Sequence, residues 1–184
     1  MRAVEEVWAS WARRHGLSYL PPSSTGWTLS PPRARGVVDG VLVNLDGMEL
    51  DPHDVVAPSA SRHERRRMPH TALAAAPQRA DRGEMIVMSR ARLDTGSPAQ
   101  GYRQMDLADA RFDEACALFA GPWSPTQGLG DRAVRAALVH LARRPFVLFA
   151  QGGSLWIRWP GYERDPEVLD HALTALVGLA RERA

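Results

Sequence analysis

The sequence predicts an α+β fold, a two-layer sandwich in which helices pack on one face of a mainly antiparallel sheet. Three observations predict it. First, PFVLFA and LWIRWP are apolar runs joined across Gly152-Gly153, a pair that supplies the positive φ angles of a tight hairpin turn. Second, the segment from Asp165 to Arg183 repeats apolar residues at helical spacing, behind a capping Asp and a proline at the first helical position. Third, short strand-like runs and helical stripes follow one another in the order α-β-β-β-α-β-β-α.

The elements follow in chain order. Residues 3 to 15 place Val4, Val7, Trp8 and Trp11 on one stripe, with Glu5 and Glu6 in the first turn and Arg13, Arg14 and His15 in the last, and Gly16 closes the helix. LSYL reads as a short strand, and PPSSTGWTLSPPRARG as a proline-rich loop or edge segment with Trp27 tucked against the body. Gly36 to Gly47 reads as one strand, with Val41, Val43 and Leu45 on one face and Val38 and Leu42 on the other. The pattern then lapses into a long arginine-rich loop at about 48–69. Thr71 to Ala76 and Met85 to Leu93 read as short strands joined by a turn-rich link, and DTGSPAQGYRQ as a loop. Residues 109 to 120 fit either a helix face or a strand. Asp131 caps a helix to Arg144 that buries Val134, Ala137, Leu138 and Leu141.

Folding the hairpin about its glycines pairs Ala150 with Leu155, Leu148 with Ile157 and Phe146 with Trp159 on a wholly apolar face, which the last helix should cover. The reverse face pairs Phe149 with Trp156 and Val147 with Arg158.

A chain of 184 residues suits one domain, 1–184, and 45% hydrophobic with 24% charged residues excludes global disorder. All 23 basic residues are arginine, which the codon usage of a G+C-rich genome accounts for, and a net charge of +2 is no nucleic-acid signature. The lone Cys116 excludes an intrachain disulfide and a cysteine metal knuckle. The amphipathic, acidic amino terminus is no secretory signal and no apolar run reaches spanning length, so the expected location is cytoplasmic, away from membrane.

ARFDEACALFAG, LGDRAVRAALVHLARR, the strand pair and PEVLDHALTALVGLA together resemble a group of uncharacterised bacterial α+β domains, across residues 106 to 183. The order of elements is also similar to that of type III secretion chaperones, small dimeric binders of unfolded protein segments. That likeness implies binding, and neither resemblance brings a catalytic motif.

Of the six histidines only His53 has carboxylates on both sides of it within two positions, in Asp51-Pro52-His53-Asp54, and adjacent loop residues make a solvated turn more readily than a metal site. Cys116, in an apolar run with Ala115 and Leu118, reads as a small buried hydrophobe, and no nucleophile elbow, phosphate loop or dinucleotide fingerprint is present. Two candidate surfaces remain. Arg62, Arg65, Arg66 and Arg67 form a basic run that could neutralise phosphates but lacks interleaved aromatic residues. Phe149, Trp156, Arg158 and Val147 form an apolar reverse face that something should cover, either the chain's own second layer or a partner. The expectation is therefore a non-catalytic interaction, scaffold or chaperone-like domain, binding a protein or a second copy, with no cofactor and no metal. Anion or nucleic-acid binding through the arginine loop is the second reading, and an enzyme of unrecognised type the third.

Overall fold

The computed structural model describes residues 2–25, 28–50, 68–76, 83–95, 101–121, 129–151 and 153–182. The chain runs α1 (Arg2–Arg14), β1 (Ser18–Leu20), β2 (Ser23–Thr25), β3 (Thr28–Ser30), β4 (Arg33–Val38), β5 (Val41–Leu50), β6 (Met68–Ala76) and β7 (Met85–Ser89). A 3-10 helix (Arg90–Thr95) leads to β8 (Arg103–Met105), α2 (Ala110–Ala115), β9 (Cys116–Ala120), α3 (Arg132–Leu141), β10 (Val147–Gln151), β11 (Ser154–Pro160) and α4 (Pro166–Glu182). Among the described residues, nine strands form one sheet in the order β1-β4-β5-β6-β11-β10-β7-β9-β8, with every neighbouring pair antiparallel. β2 and β3 pair separately as a small ribbon.

The Gly152-Gly153 hairpin forms as its sequence requires. Leu148 faces Ile157, Phe149 faces Trp156 and Ala150 faces Leu155. Gly153 sits at φ 79°, where a side chain would be strained. β11 then takes β6 as its other neighbour and β10 takes β7, so the hairpin lies at the centre of the sheet.

The helices line one face. Phe146, Leu148, Ala150, Leu155, Ile157 and Trp159 from the hairpin join Trp8, Trp11, Phe112, Leu138 and Leu176 from the helices in one buried core. α1 ends as its Gly16 predicts, with Leu17 donating its N–H to Ala12 at 2.8 Å. Asp109, Asp131 and Asp165 accept from Phe112, Ala133 and Glu167 at 3.2, 2.7 and 2.9 Å, capping α2, α3 and α4. Among the described residues no helix is long and apolar enough to cross a membrane.

The fold class is as the sequence predicts, but the elements are more numerous. The expected single strand Gly36–Gly47 is instead a hairpin. Asp39 (φ 50°) and Gly40 (φ 80°) turn the chain so that Val38 faces Val41. Asp-Gly is a strong turn signal that the surrounding valines obscured. Residues 109–120 are helix and then strand in succession: Asp109 caps one and a half turns, and the buried run Cys116–Ala120 continues as β9. The strand at 85–93 ends at Ser89 and tightens into the 3-10 helix, while DTGSPAQGYRQ contributes edge strand β8. Both ends of the expected 48–69 loop are strand instead, since β5 reaches Leu50 and β6 begins at Met68; residues 51–67 lie outside the described residues.

Candidate binding face

Strand alternation gives the sheet a second face, and among the described residues no α-helix packs on it. On β7, β9 and β10 it carries Ile86, Met88, Ala117, Phe119 and Val147, a small buried cluster separate from the helix-side core. Phe149 packs at its margin, half-buried, opposite Trp156 on β11.

The two rings stack with centroids 4.2 Å apart and planes 21° from parallel. Two residues along β11, the Arg158 guanidinium lies 4.6 Å from the Trp156 ring centre and 5.9 Å from that of Phe149. Stacking and cation–π attraction of this kind contribute about 0.5–2 kcal/mol each and hold the side chains flat against the sheet. The result is a rigid aromatic wall.

That wall borders a groove of about 470 Å³. Ala72, Ala74 and Ala76 on β6 form its floor, Trp156 and Arg158 one side, and Asn44, Asp46 and Met48 on β5 the other. Three alanines at alternate positions make a trough because, from Ala72 to Ala76, nothing longer than a methyl rises on this side of β6 between two strands of larger side chains. Burial lifts the Asp46 carboxyl above its ordinary range, and Arg33, 3.3 Å away, opposes that shift. His70 lies buried at the end of β6 with Nδ1 2.9 Å from the Met68 carbonyl. Desolvation holds its imidazole below the ordinary pKa; the Met68 bond works against this, while Arg158 and Arg92 reinforce it.

The four sequence-predicted residues of this face do lie together, but not equally within reach. Val147 is 0% exposed and Arg158 only 9%, whereas Phe149 and Trp156 are half-open. Of the four, the two rings are therefore the ones open to solvent. The arginines Arg62, Arg65, Arg66 and Arg67 and the Asp51-Pro52-His53-Asp54 cluster lie outside the described residues. Cys116 is buried with Sγ 3.8 Å from the Leu138 carbonyl, and burial pushes its thiol up to about 12, so no thiolate nucleophile exists there at neutral pH. Sequence reasoning missed the groove floor. The signal was present in HTALAAAP, where alanine recurs at every second position, but alanine carries too little hydrophobic contrast to announce a surface.

No family model matches the sequence, and no curated protein matches it. The fold is similar to the crystal structure of the mycobacterial trehalose monomycolate transport factor A, TtfA, with a TM-score of 0.57 over 98% of this chain and 94% of that one. At 12% identity the likeness is one of fold.

Proposed function

We propose that this chain is a non-catalytic binding domain that holds an apolar protein segment, from a partner or a second copy, in the groove on the sheet face opposite its helix-side core. One observation carries the reading: the stacked Phe149 and Trp156 rings stand half-open beside an alanine-floored groove, on a face where no α-helix packs among the described residues. Large aromatic side chains left accessible next to a trough are the usual anchors of protein recognition. The inaccessible Cys116 thiol agrees with a role outside catalysis, and the neighbour of similar fold is named for transport.

Trp156→Ala tests the proposal. Self-association is read by light scattering across concentration, and binding of extended apolar peptides by tryptophan fluorescence, each alongside thermal denaturation. The expected outcome is loss of association or of peptide binding with little change in melting temperature. A monomer that binds no peptide, and whose melting temperature collapses on the substitution, would show the face to be interior and the proposal wrong.

A further inference from the structure

A second cavity opens on the helix layer. Arg132, Arg135 and Val139 follow one another at three- and four-residue intervals along the outward stripe of α3, opposite the buried Val134, Ala137, Leu138 and Leu141. The first turn of α2 brings Arg111 across to meet them. Together they line a cleft of about 340 Å³, with His140 also on its wall.

Charge in this cleft is unbalanced. Three guanidinium groups line it against one carboxylate, that of Asp109. Asp109 is already engaged, for it caps Phe112 and accepts from Arg135 Nε at 2.8 Å. The Arg135 bond, ahead of the Phe112 cap, holds its carboxyl below the ordinary range, so it stays ionised. Arg135 is pinned further by donating Nη1 to the carbonyls of Leu129 and Gly130, 2.7 Å each. Arg111 and Arg132, both exposed, reach into the same volume with no carboxylate other than Asp109 among its lining residues. A merely solvated helix face would let such like charges diverge.

We propose that this cleft binds a small organic phosphate, the phosphate on Arg111 and Arg132 and the organic part against Ala136 and Val139. The guanidinium fork matches phosphate oxygens bidentately, Arg135 supplies a fixed positive background, and the volume lies at the small end of ligand pockets. The site shares no residue with the sheet groove.

Calorimetric titration of the full chain with inorganic phosphate and with ribose 5-phosphate tests it. Ribose 5-phosphate is expected to bind more tightly than phosphate, and Arg111→Gln/Arg132→Gln to weaken both at least tenfold, with an unchanged circular dichroism spectrum and melting temperature. Trp156→Ala is expected to bind both as the parent does, so the outcome is independent of the sheet face. Equal heats from parent and double variant would overturn the proposal. So would binding only to anionic phospholipid vesicles, uncompeted by soluble phosphate, or binding to succinate as tight as to ribose 5-phosphate.

Discussion

Glu163 shows how much of the fold can depend on a single side chain. It is 6% exposed, yet no apolar neighbour explains its place. Its carboxylate accepts from the Trp159 indole at 2.9 Å and from the Arg164 and Asp165 backbone N–H groups at 3.0 Å each, with Arg144 Nε at 3.4 Å. Its own backbone N–H donates to Thr71 on β6, and its carbonyl accepts from Trp8 on α1. One residue thus ties α1, β6, β11 and the entry to α4. Glu163→Ala would leave the buried Trp159 indole without its acceptor and remove the acceptor of two half-buried backbone donors, a loss of about 2 kcal/mol or more. Glu163→Gln keeps an acceptor and is expected to lose less; urea denaturation of the two variants checks the ranking, and equal losses would refute it. None of this was legible in the sequence, where GYERDP reads as a loop, because the partners lie as far as 155 positions away.

At the scale of elements, the contact between α3 and α4 depends on an absent side chain. A Cβ placed on Gly178 in α4 would fall inside the Val134 Cγ2 methyl of α3. Gly178→Ala should gain about 1 kcal/mol of helix propensity, yet overpacking costs about 1–3 kcal/mol, so the variant is expected to be less stable. In a Val134→Ala background the same change should become neutral or stabilising. A double-mutant cycle measured by thermal melts reads that coupling, and simple additivity would remove the steric explanation. The glycine sat in plain view inside LTALVGLA, but its meaning needed the facing helix. Elsewhere legibility followed local chemistry. The Gly152-Gly153 register and the Asp131 cap are set by neighbours in sequence, and both were readable. Residues 109–120 were not, since a six-residue helix is too short to show a period, and Asp39-Gly40 was masked by valines that suit a strand on either side. The stacked aromatic pair was readable for the same local reason as the hairpin. The groove beside it was not, because its floor and far wall come from β6 and β5, which only the sheet order brings alongside β11.

Across the whole molecule, the absence of lysine shapes the response to alkali. No ammonium titrates near pH 10, so the groups that lose protons there are tyrosines and Cys116. In the fold every one of them is shifted the same way. Burial raises Cys116 from 9.0 and Tyr102 from 10.0, each to about 12, with Glu84 accepting the Tyr102 hydroxyl at 2.8 Å and adding to its shift. Burial likewise raises Tyr19 and Tyr162, with Glu5 and Glu49 contributing in turn. Between about pH 9 and pH 12 the unfolded chain therefore releases protons that the folded chain retains. The unfolded state then binds fewer protons, so stability falls as pH rises, by at most about 1.4 kcal/mol per pH unit for each proton involved. The urea midpoint is expected to hold below pH 9 and decline steadily above it. Cys116→Ala should flatten the first part of that decline, since the thiol is the group whose unfolded pKa is lowest of the four. Tyr102→Phe should flatten the later part. A midpoint unchanged from pH 8 to pH 11 would mean that these groups meet the same surroundings in both states, contrary to the burial that defines this sheet and its helix layer.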